Sequence, residues 1–264
     1  MLKIGDFVTN SPEQWDIIIR GMRNPMNSWD RMDSYATHIE DAKTLETAEY
    51  EYFVGENDHK LMMQLSENGP VHAKYRRMLD VIVEITAPLY WWKEFDTYKV
   101  GTVCNSCSTM HKIHAKPFTV NDISCDVLTK GNLVDLDGNI DAPELKAHYK
   151  HLMNILASLN NLRDLYLKTG DKRYWRCMIE MLPSSYNQKR TVKISYEALA
   201  NMYTWRKNHK LDEWRRFCNW IEELPYSEII TGDLSEEKII DKLCEVGQQY
   251  IVKSDEIGKV VKGE

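Results

Sequence analysis

The sequence predicts a single α+β domain in which a mixed or antiparallel sheet packs against long helices. Three observations carry this expectation. Apolar residues recur at helical spacing from Pro143 to about Lys168, through Leu145, Tyr149, Leu152, Leu156, Leu159, Leu162 and Tyr166. Leu79 to Thr86 (LDVIVEIT) has the β-branched, alternating make-up of a strand. The 264 residues contain no internal repeat, low-complexity tract or linker, and they suffice to bury one sizeable core.

The elements follow in order. Residues 2–8 read as a short strand. Ser11-Pro12-Glu13-Gln14 is a capping box with proline at the first helical position, so a helix starts there. Trp15, Ile18 and Ile19 form its apolar face and Pro25 bounds it. Residues 25–57 are polar, with Trp29, Tyr35 and the aromatics of EYEYF interspersed, and we expect loop or irregular helix. Leu61, Met62 and Leu65 suggest a short helix stopped by Gly69-Pro70. Polar residues from His72 to Arg77 lead into the strand at Leu79. Asp135 to Asn139 (DLDGN) is a turn. Beyond the long helix, further helices are expected at about 171–182, 195–207, 211–223 and 235–252, with Arg190 to Ile194 extended.

Composition narrows the function classes. Hydrophobic residues at 43% and charged residues at 28% are ordinary for a globular chain. A net charge of −6 argues against general binding to nucleic acid or anionic membranes, although a local basic patch can still hold a phosphate. The start, MLKIGDFVTN, lacks a signal peptide's apolar block, and no apolar run approaches the ~18 residues of a membrane span. A cytoplasmic location is expected. Of six cysteines, only Cys104 and Cys107 are close in sequence, so a disulfide framework is not expected.

Chemistry-bearing residues concentrate in 87–112, APLYWWKEFDTYKVGTVCNSCSTMHK. Lys99, Thr102, Asn105, Ser106, Ser108, Thr109, His111 and Lys112 bring cations, hydroxyls and an amide together. Such groups charge-pair with phosphates and donate directed hydrogen bonds to phosphates or bases; a solvated polar loop would have the same make-up. Cys104 and Cys107 have CxxC spacing, which fits half of a zinc site with His111 and His114 nearby, a redox pair, or small side chains lining a pocket. Four ligands this tightly spaced would be atypical, and no metal is expected. His72, with Lys74, Arg76 and Arg77 after it, is a phosphate contact or a surface basic cluster. Tyr90, Trp91, Trp92 and Phe95 suit a core or subunit contact better than ring stacking. Tyr196, Asn201, Tyr203 and Arg206 fall on one expected helix, where Arg206 can pair with an anionic ligand or with Asp212 or Glu213. Glycine-rich phosphate loops, GxSxG, HExxH and calcium-loop motifs are missing from the sequence.

The order of these features resembles the flavin-dependent thymidylate synthases. LMMQLSENGPVHAKYRRMLDVIVEITAPLYWWKEF matches that family's polar helix, Gly-His turn, strand and Ala-Pro step, with His72 near the family histidine and Ala87-Pro88 at the step. YWRCMIEMLPSSY and SYEALANMYTWR are similar to its later helices, the second ending in a matching Arg206. The resemblance covers residues 1–225 and leaves 226–264 as a helical extension. Laid on the signature RHRxxSxNExSxR, TYKVGTVCNSCSTMHK puts Asn105 and Ser108 on its Asn and second Ser. Ser106 then replaces the Glu, Met110 replaces the last Arg, Lys99 is the one cation kept near the Arg-His-Arg, and the family's later nucleotide-binding Arg falls at Tyr196 or Glu197. An arginine fork is not replaced by Tyr or Met.

The resemblance implies FAD as cofactor, NADPH as reductant, and transfer of a folate-derived carbon to C5 of dUMP or a related pyrimidine nucleotide. It places Ser108 and Asn105 at the chemistry, His72, Lys99 and Thr102 on the flavin, and His111, Lys112, Tyr196 and Arg206 on the substrate. It also implies a homotetramer with composite sites. A protein that kept the fold for nucleotide binding or as a scaffold, without catalysis, is the alternative that the missing arginines favour.

Overall fold

The computed structural model describes residues 2–39, 49–126 and 143–232. Its centre is a four-stranded antiparallel sheet in the order β1 (Lys3–Thr9), β4 (Asp80–Pro88), β6 (Asn187–Ser195), β5 (Thr102–Ser106). The register is continuous from Asp80 opposite Ser195 to Pro88 opposite Asn187. On β1 it slips between Ile4 and Phe7. Val81, Val83 and Ile85 of β4 and Val192 and Ile194 of β6 alternate into the core. The other face is polar and partly solvated, with Lys189 on Glu84 at 2.6 Å and Lys193 on Asp80 at 2.7 Å.

Helices cover the inner face. The capping box does start α1 (Pro12–Met22): Ser11 Oγ accepts from Gln14 N and Gln14 reaches back to Ser11 N, while Trp15, Ile18, Ile19 and Met22 are buried. α3 (Leu89–Phe95) follows the Ala-Pro step and buries Trp91, Trp92 and Phe95. Trp91 lies 4.8 Å from Trp214 of α7 (Asp212–Glu222) and 5.5 Å from Phe217, so these aromatics are core. α6 (Tyr196–Arg206) starts where β6 ends, its Ala198 N donating to Ser195 Oγ. α2 (Glu56–Glu67) and the short α8 (Glu228–Thr231) close the rim. The long helix, α4 (Pro143–Thr169), pairs with α5 (Lys172–Met181). Leu152, Leu156 and Leu159 bury there with Met178, Ile113, Phe118 and Ile123, a second apolar cluster.

Three expectations change. Residues 25–57 are not simply loop. They contain 3-10 turns at Asn24–Met26 and Trp29–Arg31 and an antiparallel pair, β2 (Tyr35–Ile39) with β3 (Glu49–Phe53). The helix suggested around Leu61 is longer, because Asp33 caps it from outside: its carboxylate accepts from Asn57 N and Asp58 N. Thr102–Ser106 is an edge strand that the polar sequence did not announce. The turn at 135–139 and the helix expected at 235–252 lie outside the described residues. Among the described residues no helix is long and apolar enough to cross a membrane.

Candidate functional site

Gly101 fixes the site's geometry. It has φ +79, a region that side chains disfavour, and its carbonyl accepts from Ser195 N at 2.9 Å. The turn from Thr97 to Gly101 is thereby pinned to the start of α6. Thr102 Oγ1 donates to Tyr98 O at 2.6 Å and tightens the same turn.

Between this turn and α6 lies a cavity of about 350 Å³ lined by Thr97, Tyr98, Lys99 and Val100 on one side and Ala198, Asn201 and Trp205 on the other. It continues into a groove of about 800 Å³ that shares Val100, Ala198, Asn201 and Trp205. Glu197, Asn201 and Trp205 follow one another at four-residue spacing, so one face of α6 forms the wall. Gly69, Pro70, Arg76 and Arg77 form the opposite rim, and Ile229 to Gly232 the end. Arg76 is buried and held by Glu197 Oε2 at 2.8 Å and Ile229 O at 3.0 Å. Arg77 donates to Pro70 O at 2.7 Å, and Lys99 is exposed. Trp205 is 72% exposed and Val100 90%, apolar surface that a planar ring would cover.

A second surface follows along β5. Its side chains from Val103 to Ser106, with Cys107 and Ser108, face solvent along the sheet edge. Arg190, beside Ser106, has its guanidinium carbon over the Trp92 ring, 4.1 Å from its centre, and is paired with Asp96 at 2.6 Å. Cys104 adjoins it; although its surface is exposed, partial desolvation by the surrounding side chains pushes this thiol up and the guanidinium only partly offsets that, so it is not an activated nucleophile. Ser108 Oγ accepts from His111 N at 2.8 Å and Met110 N at 3.3 Å, which folds 108–111 into a turn. Trp175 Nε1 holds Met110 O, and Arg163 Nε holds His114 O, so α4 and α5 anchor this turn. Among the described residues no three His, Cys, Asp or Glu side chains converge as metal ligands.

The expected residues therefore separate into groups. Lys99 lines the groove and Thr102 supports it. His72 is exposed in the turn that carries Gly69 and Pro70. Asn105, Ser108, His111 and Lys112 are exposed along β5 and the turn after it. Two positions correct the sequence expectation. Tyr196 is fully buried, its hydroxyl donating to Pro225 O at 2.9 Å with its pKa raised by burial, so it packs under the site and does not line it. Arg206 is a brace: Nε donates to Tyr98 Oη at 2.9 Å and Nη1 to Glu94 Oε2 at 2.7 Å, with its plane 4.7 Å from the Trp214 ring. Its carboxylate partner is Glu94, not Asp212 or Glu213. Glu94 Oε2 also accepts from Trp214 Nε1 at 2.8 Å. Glu94→Gln is expected to lower folding stability by about 1–2 kcal/mol and to loosen Tyr98; urea unfolding reads the first effect.

Val100, Glu197 and Trp205 are groove residues that the sequence reasoning did not single out as ligand contacts. The four-residue spacing on α6 was the available signal.

The fold is that of known enzymes. The chain superposes on thymidylate synthase X from Helicobacter pylori, crystallised with FAD and dUMP, with TM-score 0.54 and 16% identity over 86% of this chain and 94% of that one. A second structure, the flavin-dependent thymidylate synthase of Helicobacter pylori complexed with FAD and dUMP, gives TM-score 0.53 and 16% identity over 89% and 99%. No family model and no curated protein sequence matches the chain. At this identity the likeness establishes the fold.

Proposed function

We propose that this chain binds FAD in the groove between the Thr97–Gly101 turn and α6, and modifies a pyrimidine nucleotide at C5 in the manner of a flavin-dependent thymidylate synthase. One observation carries the proposal. The groove of about 800 Å³ combines cations (Arg76, Arg77), an amide (Asn201) and an exposed indole (Trp205), and the adjoining cavity of about 350 Å³ adds Lys99, on a fold whose solved relatives were crystallised with FAD and dUMP.

The donor set fits the cofactor. Lys99 supplies charge to a phosphate from one rim and Arg77 from the other, while His72, exposed in the turn beyond Pro70, would meet only a part of the ligand that extends past the groove. Asn201 offers both a donor and an acceptor to a ring edge, and Trp205 a face to stack on. A bound flavin would supply the redox chemistry, with NADPH as reductant and a folate as carbon donor. The chain's task is to orient the reactants and exclude water. Asn105, Ser108, His111 and Lys112 would take the nucleotide along β5, and a homotetramer would bring the edge of one subunit to the groove of another.

A second reading, nucleotide binding without catalysis, is favoured by how fully the polar groups are occupied. Arg76, Arg190 and Arg206 are each bound to a carboxylate of the chain, and Ser108 Oγ already accepts two amides.

The visible absorption of the purified protein, recorded with added FAD and then with dUMP, tests the proposal. A bound flavin spectrum that changes with dUMP supports it, and the absence of flavin binding rejects it. Bound flavin and dUMP without turnover of folate and NADPH would select the second reading. Lys99→Ala is expected to weaken FAD binding about tenfold, near 1.4 kcal/mol, and Ser108→Ala to weaken dUMP binding, both with cooperative unfolding retained. Unchanged affinities in both would remove these residues from the site.

A further inference from the structure

A separate cavity of about 670 Å³ lies against a different face of α2, between Asn57, Lys60 and Gln64 on the helix and the two 3-10 turns at 24–31. It shares no lining residue with the flavin groove. Its wall includes Arg23, whose side chain is only 4% exposed. Arg23 Nε is bound to Asp58 Oδ1 at 2.5 Å, and Nη1 reaches Ser28 Oγ and O at 3.3 and 3.4 Å. Nη2 is buried and has no partner. Buried donors nearly always find an acceptor, and leaving one unmet costs about 1–3 kcal/mol. A donor orphaned in the wall of a polar cavity marks a place where an acceptor belongs.

The rest of the lining has the same bias. Arg31 and Lys60 are exposed and make no ion pair with a described residue. Asn57 and Gln64 on the helix and Asn27 on the facing turn add amides that donate to oxyanions. Asp30 is the one lining carboxylate, and Arg23 already carries Asp58 as its counter-charge, so the excess positive charge comes from Arg31 and Lys60. The helix end is not the source of the attraction, because Asp33 already accepts from Asn57 N and Asp58 N. The cations and the orphaned guanidinium nitrogen are.

We infer that this cavity binds a diphosphate-bearing anion, free or as part of a nucleotide, at a site independent of the flavin groove. Arg31 and Lys60 would grip its oxygens from the two walls, and a rotation of the Arg23 guanidinium would bring Nη2, closed off from the cavity as the side chain stands, to an acceptor. The volume suits a ligand of nucleotide size, with Met26 and Leu61 as the apolar part of the lining.

The test is calorimetric titration of the full-length protein with inorganic pyrophosphate at constant ionic strength, repeated with Arg31→Ala/Lys60→Ala and with Lys99→Ala. Arg31 and Lys60 are both exposed, so the double variant should fold. Saturable binding that weakens more than about tenfold in the double variant, and survives in Lys99→Ala, supports the site. No saturable binding to the unaltered protein at millimolar pyrophosphate overturns it. Equal binding by the double variant also overturns it, as does binding lost only with Lys99, which would move the anion to the flavin groove. A nucleoside diphosphate that binds tighter than pyrophosphate, with the same loss in the double variant, identifies a nucleotide as the ligand, and equal affinity identifies the free anion. Failure of flavin binding leaves this result untouched.

Discussion

Replacing Asp58 with alanine is expected to lower folding stability by about 3–5 kcal/mol, the largest single loss we foresee. Asp58 is completely buried at the start of α2. Its Oδ1 accepts from Arg23 Nε, and its Oδ2 accepts from Asp33 N at 3.0 Å, Ser34 N at 2.9 Å and Ser34 Oγ at 2.6 Å. Truncation would leave a buried guanidinium without a counter-charge and strip the acceptor from two amides and a hydroxyl. Desolvation of the abandoned cation dominates that cost, which is why removing one partner is worse than never having the pair. Urea unfolding of the variant gives the number directly. A loss below about 1 kcal/mol would mean that water reaches Arg23 and that the cluster behaves as a surface pair.

Gly101→Ala is expected to cost about 2–3 kcal/mol and to abolish ligand binding in the groove. Two terms add. An L-residue at φ +79 is strained, and the new methyl would stand 2.4 Å from Ser195 Oγ. The hydroxyl can escape only by giving up its hydrogen bond from Ala198 N, which caps α6. The Thr97–Gly101 turn would then shift from the helix whose face makes the other wall. Thermal unfolding and FAD titration of the same variant separate the two effects. A variant with ordinary stability and ordinary affinity would show that the turn adapts, contrary to the geometry.

Much of the fold was legible in the sequence, and particular residues explain where it was not. The capping box at Ser11 and the heptad-like run from Pro143 act locally, so local pattern found both helices. β5 escaped notice because an edge strand with both faces wet has no apolar alternation: Val103, Cys104, Asn105 and Ser106 are all exposed. The site divided along the same line. Lys99 and Thr102 could be nominated from their own segment. Trp205 and Glu197 become groove residues only because α6 turns that face toward a loop a hundred residues earlier. Tyr196 and Arg206 look like ligand contacts in the sequence because a hydroxyl and a guanidinium suit a ligand and a protein partner equally well. Only the fold reveals that Pro225 O and Glu94 take up those groups.

Arg76 joins three distant parts of the chain, its own turn, Glu197 of α6 and the carbonyl of Ile229. The groove therefore has no finished rim until translation has passed residue 229, however early the sheet strand at Asp80 is available to pair. On the ribosome, the amino-terminal half would wait with a buried-to-be guanidinium still hydrated, and the cavity would be among the last features to mature. A nascent chain halted before α8 would accordingly lack one wall of the groove even with its core strands assembled.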